Sequence, residues 1–130
     1  MSETYYADSS ALVKRHISEA GSAWIEQEFD AASGNRIITT KLSVAEVLSA
    51  LNRRRREANI TATEYAKFSG DFLSFVETDY EMFEMSDAVL LANAQLQTAN
   101  LPALIFLASD ARLLTAANSE GLQTDDPKNH

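Results

Sequence analysis

The chain contains no cysteine and only two histidines in 130 residues. It therefore has no disulfide, no thiolate zinc site and no cysteine nucleophile, a composition that suits a reducing compartment. His16 and His130 alone cannot form a multi-histidine metal site. No apolar run approaches the roughly 18 residues of a membrane-spanning helix, and no basic segment followed by an apolar one opens the chain. We expect a cytoplasmic protein without a membrane span.

Positive charge is also scarce, with 11 Lys and Arg against 19 Asp and Glu and a net charge of −8. Such a balance opposes nonspecific attraction to nucleic acid. A local basic patch and bound cations can still reverse the field at one site. The run Arg53–Arg56 is one candidate for such a patch. It is equally consistent with a solvated helix end that the helix dipole favours.

The apolar content of 45% is enough for one globular domain. Apolar periodicity predicts strands at 5–7, 37–40, 80–85, 103–108 and 122–125, with one or two helices after each of the first four. This alternation predicts an α/β fold: a three-layer domain around a central, mainly parallel sheet of about five strands. Acids interrupt the third strand, which favours an edge position, whereas the unbroken apolar fourth strand favours the interior. Residues 1–125 would form the domain and 126–130 a loose C-terminal tail.

Several acids stand where these elements meet. Asp8 and Asp110 directly follow predicted strands, Glu46 lies within a helix, and Asp87 follows Ser86 at the start of a helix. Ligands of open parallel sheets bind beyond the carboxyl ends of the strands. Carboxylates gathered there would repel one another and raise their own pKa values unless a cation bound between them. Mg²⁺, with Mn²⁺ as an alternative, prefers such oxygen ligands and can activate water for attack on a phosphodiester.

Each of these side chains also has a purely structural interpretation. Asp8 and Asp110 could cap the helices that follow them, Asp87 could be an ordinary acid in a helix's first turn, and Glu46 an exposed acid paired with a base. Nearby hydroxyls would either hold a metal-bound water or a phosphate oxygen, or serve as caps; they belong to Ser9, Ser10 and Ser109.

Three segments together carry a resemblance to a known family. They are Tyr6–Lys14 around Asp8, Val44–Arg54 around Glu46, and Phe106–Leu122 around Asp110. In this order they resemble the PIN domain and, more narrowly, the VapC-type toxins of prokaryotic toxin–antitoxin pairs. The likeness covers nearly the whole chain, and the combination is far more specific than any one piece.

The resemblance implies a PIN sheet and a Mg²⁺-dependent endoribonuclease that a cognate antitoxin restrains, usually as a homodimer. Asp8, Glu46 and Asp110 match the family's first, second and fourth acids. They would hold the metal and thereby serve catalysis.

The third acid is where the chain departs from the family pattern. Relatives usually carry an Arg-x-Tyr-Asp-Ala stretch after a separate helix, whereas only one helix is predicted between 85 and 103. About one helix and its loop, roughly 20 residues at usual element lengths, are missing. Asp87 is then either the surviving third acid or part of the earlier helix. In the second case the chain would be a shortened, weak or inactive relative that still binds an antitoxin.

Arg53 follows Glu46 by seven residues, which places it on the same helix face about 10 Å away. That distance suits a phosphate of bound RNA and equally an acidic segment of an antitoxin, and Ser9 is a further candidate for such contacts.

A receiver-like phosphoacceptor module is the alternative from another class, because it too places acids at strand ends. It normally needs an acid pair after its first strand. The sequence Asp8-Ser9-Ser10 provides one acid, and no suitable strand-end lysine follows.

Overall fold

A computed structural model of the protein describes residues 2–83, 104–119 and 121–130. Five strands form one sheet in the order β3-β2-β1-β4-β5, and every neighbouring pair is parallel. The strands are β1 (Thr4–Ala7), β2 (Arg36–Thr40), β3 (Tyr80–Phe83), β4 (Leu104–Leu107) and β5 (Gln123–Asp125). This arrangement confirms the predicted parallel α/β class, with β3 at an edge and β4 in the interior.

Helices fill the connections that the structure describes. They are α1 (Ser9–Leu12), α2 (Ser22–Phe29), α3 (Lys41–Arg56), α4 (Ala62–Thr78) and α5 (Ala111–Ser119), with 3-10 turns at Val13–Arg15, Ala31–Ser33 and Pro127–Asn129. The first helix is about one turn long, because α1 tightens into a 3-10 turn at Val13. The helix predicted between 85 and 103 lies outside the described residues.

Alternating side chains of the strands feed two cores. Tyr5 packs in a cluster with α1 to α4, whereas its neighbour Tyr6 packs in a second cluster that includes residues of α5. Ile37 and Ile38 on β2 divide in the same way. Both faces of the sheet are therefore covered by apolar packing, and the buried side chains fix its register because a shift by one residue would exchange the faces.

Side-chain caps mark the starts of the two long helices. Thr40 caps α3 by accepting a hydrogen bond from the amide of Ser43. At α4 a capping box is present, since Thr61 accepts from the amide of Glu64 and Glu64 accepts from that of Thr61. These caps fix where the arginine-rich helix α3 begins and where α4 follows it.

The C-terminal five residues pack against the domain, where the sequence predicted a loose tail. Pro127 is fully buried, and the His130 ring stacks on Trp24 with centroids 4.0 Å apart. Nε2 of His130 also lies 2.9 Å from Oδ2 of Asp125. Gly21 permits the close approach of Pro127, because any Cβ at position 21 would overlap the Pro127 backbone; its φ of 92° also suits glycine. These contacts of the C-terminal segment involve one proline and one imidazole ring. Two such residues do not form an apolar pattern in the sequence, so the packing of this segment could not be predicted from it.

None of the helices within the described ranges combines the length and the apolarity needed to cross a membrane.

Candidate functional site

The sheet order creates a crevice between β1 and β4. From β1 the chain proceeds outward to β2 and β3 on one side, and to β4 and β5 on the other. In such open sheets the connections leave on opposite faces at this switch point, so the strand ends there are the usual place for a ligand. Asp8 directly follows β1, and Asp110 lies three residues after the end of β4. The topology therefore brings both acids to the same edge of the sheet.

Asp8 is held rigidly at this edge. Its amide donates to the carbonyl of Leu107 at 3.2 Å, which ties the end of β1 to that of β4. Oδ1 of Asp8 accepts from the amides of Ser10 and Ala11 and from the hydroxyl of Ser10, the last at 2.6 Å. Asp8 is therefore the N-cap of α1. The capping interpretation is correct, but it uses only one of the two carboxylate oxygens.

The pKa of this carboxylate differs from the ordinary value of an aspartate because the side chain is buried. Asp8 is only 8% exposed. Burial raises the pKa of Asp8 to about 6, the three hydrogen bonds to Oδ1 oppose the rise, and the charge of Glu46 adds to it. A buried acid with a nearby like charge is a group that a bound cation would stabilise in its ionised form.

Glu46 reaches the same neighbourhood from α3. Its Oε2 lies 3.4 Å from the hydroxyl of Ser9, and its charge also acts on Tyr6 and Asp8. The end of β2 is fixed beside that of β1, because the Thr39 hydroxyl donates to the Ala7 carbonyl at 2.8 Å. Glu46 is exposed, and its contact with Ser9 is the one hydrogen bond it makes to the described residues. Within the part of the chain that the structure describes, Glu46 therefore lacks the ion pair that the structural interpretation required.

Asp110 caps α5, as the structural interpretation allowed. Its Oδ1 accepts from the amides of Arg112 at 2.9 Å and Leu113 at 3.4 Å, and the residue is exposed. The preceding Ser109 links this turn to the Asp8 turn, because its amide donates to the Ser10 hydroxyl at 2.8 Å. Asp110 therefore shares a hydrogen-bonded framework with Asp8, through Ser109 and Ser10.

The charge of Glu46 acts on Asp8, whereas Asp110 is linked to Asp8 through Ser109 and Ser10. Over 2–83, 104–119 and 121–130, no three acids or histidines form a group that could hold a metal ion. Asp87, the remaining candidate, lies outside those ranges. Two carboxylates with an uncommitted oxygen fit a hard cation in chemical type, and the described residues supply this pair rather than a full ligand set.

Two adjoining cavities open beside these acids. One of about 440 Å³ is lined by Glu46 and by residues of α3 that include Ser49. The other, of about 450 Å³, contains four basic side chains, Lys14, Arg53, Arg54 and Lys128. Ser9, Ala50 and Arg53 line both, so the cavities adjoin at these residues. Sequence reasoning identified Arg53 but missed Lys14 and Lys128, which are single bases in unremarkable local patterns.

The fold and the site together define a parallel α/β domain with carboxylates at its switch point. The PIN domain family matches residues 5–124, which is most of the chain, and the protein therefore belongs to this family. PIN domains are generally metal-dependent ribonucleases, so membership indicates a nuclease. The receiver-like alternative is not supported, because such modules have the strand order 2-1-3-4-5 rather than the order found.

A solved structure gives independent support for the fold. The chain is similar to the crystal structure of PAE2754 from Pyrobaculum aerophilum, with a TM-score of 0.58 and 17% identity over 98% of this chain and 85% of that one. At this identity the likeness shows the fold alone. No curated protein matches the chain.

Proposed function

We propose that the protein is a Mg²⁺-dependent endoribonuclease and the toxin of a type II toxin–antitoxin pair. The observation that carries the proposal is the buried Asp8 carboxylate, which lies within the electrostatic influence of Glu46 at the switch point of a PIN sheet. A metal ion there would supply an activated water and neutralise charge on the phosphodiester. Mn²⁺ would serve in the same way.

The protein's own residues have distinct tasks in this proposal. Asp8 would present Oδ2, because the bonds that hold its side chain in place all end on Oδ1. Glu46 would contribute its carboxylate from α3, and its link to Ser9 limits its orientation. Asp110 would complete the acidic edge from the start of α5. Asp87 is proposed as a third acid on the family resemblance alone.

Burial of Asp8 has a mechanistic use. A carboxylate that is costly to ionise in the free protein gains more from a cation than an exposed one, since the ion removes the penalty of burial. Metal binding would then be coupled to loss of a proton from Asp8 below about pH 6, because its pKa is raised to about that value. We expect the affinity for Mg²⁺ to rise with pH up to this point.

Cleavage of single-stranded RNA by the purified protein tests the proposal. We expect cleavage with Mg²⁺ or Mn²⁺, none with EDTA, and loss in Asp8→Asn. Asparagine still caps a helix well, so this variant should fold. Thermal unfolding with and without Mg²⁺ gives a readout independent of activity, and Mg²⁺ should stabilise the original protein more than Asp8→Asn. A folded protein that neither cleaves RNA nor responds to the metal would refute the enzyme proposal.

The toxin role rests on the narrower resemblance to VapC-type proteins. It predicts a small DNA-binding protein with an acidic or amphipathic tail, encoded immediately upstream, that binds this chain and suppresses cleavage. It also predicts a homodimer, which sedimentation would reveal. Co-expression of the two reading frames, followed by purification through a tag on one, tests the pairing directly.

A catalytically weak or inactive PIN-fold protein that still binds an antitoxin is the second candidate. It is favoured by one observation: the described residues supply no group of three metal-binding side chains. This candidate predicts normal binding to the antitoxin without metal-dependent cleavage. Cleavage by the unaltered protein separates the two candidates. If it cleaves RNA, Asp87→Asn then shows whether Asp87 is a working third acid, because only in that case should the substitution abolish cleavage.

A further inference from the structure

We propose that the basic cavity formed by Lys14, Arg53, Arg54 and Lys128 is a phosphate subsite that holds RNA next to the phosphodiester at Asp8 and Glu46. The inference rests on the proposed nuclease function and adds to it a binding site on three different parts of the chain. These parts are the turn after α1, the end of α3 and the C-terminal segment.

Charge is the first support. The cavity lining carries four of the chain's 11 basic residues and a single acid, Glu19, although the chain as a whole carries −8. Such a concentration in an acidic protein creates a local positive field that attracts a polyanion to this cavity. Against the overall charge, this local field is what would allow RNA to bind.

Lys14 is a buried basic residue in the wall of this cavity. This lysine is only 4% exposed, and its Nζ lies 2.9 Å from Oε1 of Glu19. Oε2 of the same glutamate lies 3.6 Å from Arg54. One carboxylate thus serves two cations, and a buried ammonium is held at the wall of an open cavity. Carboxylates of the protein engage the other two cations less. Lys128 is 3.9 Å from Asp126, and Arg53 has no ion pair among the described residues.

Position is the second support. The cavity shares Ser9 and Arg53 with the neighbouring cavity that Glu46 lines, and Ser10 of its wall is bonded to Asp8. An RNA strand with one phosphate at the acids would therefore pass Arg53 and enter the basic cavity with another. The hydroxyl groups of Ser9, Ser10 and Ser109 already donate to carboxylates. The hydrogen bonds to phosphate would therefore come from the lysines and arginines.

Glu19 acquires a definite role in this arrangement. It occupies the place of an anion between Lys14 and Arg54 when RNA is absent, and a phosphate would compete with it. Removing a cation and removing Glu19 should thus change RNA affinity in opposite directions. A purely structural ion pair would not produce that opposition.

The test is RNA binding in the Asp8→Asn background with Mg²⁺, where a labelled single-stranded oligoribonucleotide is bound without being cut. Lys128→Gln and Arg53→Gln should each weaken binding about fivefold at 0.1 M salt and reduce the slope of log affinity against log salt by about 0.7. Glu19→Gln should tighten binding by a similar factor and steepen the slope. Arg56→Gln is the matched control, because Arg56 is exposed on the same helix and outside the cavity.

The outcomes separate the two proposals. Binding that responds to these variants, in a protein that never cleaves RNA, would leave the subsite standing and remove the nuclease. Cleavage with salt slopes unchanged by Lys128→Gln and Arg53→Gln would overturn the subsite alone. Should an oligoglutamate peptide compete better than the oligonucleotide, the cavity would belong to an acidic protein partner and the RNA assignment would be wrong. Circular dichroism confirms folding of Glu19→Gln, and Lys128→Gln tests the subsite independently of the Lys14–Glu19 ion pair.

Discussion

The hydroxyl of Ser10 donates a hydrogen bond of 2.6 Å to Oδ1 of Asp8. The same oxygen of Ser10 accepts from the amide of Ser109 at 2.8 Å, so one small side chain joins the turn after β1 to the turn after β4. These are the two strands on either side of the switch point. The geometry of the candidate site therefore depends on a residue that would itself bind no metal.

Ser10→Ala should destabilise the fold and shift the protonation of Asp8. It removes a hydrogen-bond donor and leaves the Ser109 amide without its acceptor, which together should cost about 1–3 kcal/mol. Because the Ser10 bond lowers the pKa of Asp8, its loss should raise that pKa further above its ordinary value. Urea unfolding at pH 7 measures the first effect, and a carbon-detected NMR titration of the carboxyl group measures the second.

Ser18→Ala is the matched control for that experiment, since Ser18 is exposed and makes no hydrogen bond within the described residues. It should change the free energy of unfolding by less than about 0.5 kcal/mol. Equal effects of the two substitutions would contradict the role assigned to Ser10.

The pH dependence of stability should differ between the original protein and Asp8→Asn. The pKa of Asp8 is raised from 3.8 to about 6 on folding. Its contribution is therefore fully present below pH 3.8 and is lost as pH rises to about 6. Without metal, the free energy of unfolding of Asp8→Asn should rise, relative to that of the original protein, by about 3 kcal/mol between acid and neutral pH. Urea unfolding in EDTA at several pH values measures the gain.

His16 makes the comparison between the two proteins necessary. Burial is the main cause that lowers the pKa of His16 from 6.5 to about 4, so its contribution is present above pH 6.5 and is lost as pH falls. The effects of His16 and Asp8 oppose each other in the same pH range, and a stability profile of the original protein alone would show little of either. The difference from Asp8→Asn cancels His16, because both proteins contain it. If the difference in unfolding free energy between the two proteins stayed constant with pH, folding would not raise the pKa of Asp8.

Glu46→Gln should separate activity from stability. Glu46 is exposed and has one hydrogen bond, at 3.4 Å, so its loss as an acid should change the unfolding free energy by less than about 0.5 kcal/mol. As a proposed metal ligand it should reduce Mg²⁺-dependent RNA cleavage about 100-fold or more. Initial rates over a range of Mg²⁺ concentrations measure this.

The control for Glu46 is Glu57→Gln, at the exposed C-terminal end of the same helix. It removes the same charge and should leave the cleavage rate unchanged. Were both variants to lose activity equally, the effect would be one of general charge and the assignment of Glu46 would fail.

What the sequence predicted and what it missed follow from the range of the interactions. The strands predicted at 5–7 and 103–108 are local features, and a one-dimensional pattern contains them completely. The placement of Asp8 and Asp110 at one sheet edge also followed, because parallel strands share their carboxyl ends. Lys14 had no such signal, since the acid that holds it, Glu19, lies in the connection between two helices, and the cavity needs the C-terminal segment as well.

The C-terminal segment leads to the last prediction, which compares two glycines. Gly21 has a φ of 92°, and a Cβ there would overlap the backbone of Pro127, so Gly21→Ala should combine backbone strain with displacement of the C-terminal turn. We expect the free energy of unfolding to fall by about 3 kcal/mol.

Gly70 provides the comparison, because it lies in the middle of α4 and a Cβ added there would have nothing within 4 Å. Gly70→Ala should therefore stabilise the protein by about 0.5–1 kcal/mol, because alanine loses less backbone entropy in a helix. Urea unfolding of both variants, with Trp24 fluorescence reporting on its contact with His130, gives the comparison. Since Lys128 lies in the displaced turn, Gly21→Ala should also weaken RNA binding, whereas Gly70→Ala should not. Unaltered binding in a folded Gly21→Ala protein would show that the C-terminal turn is not part of the RNA site.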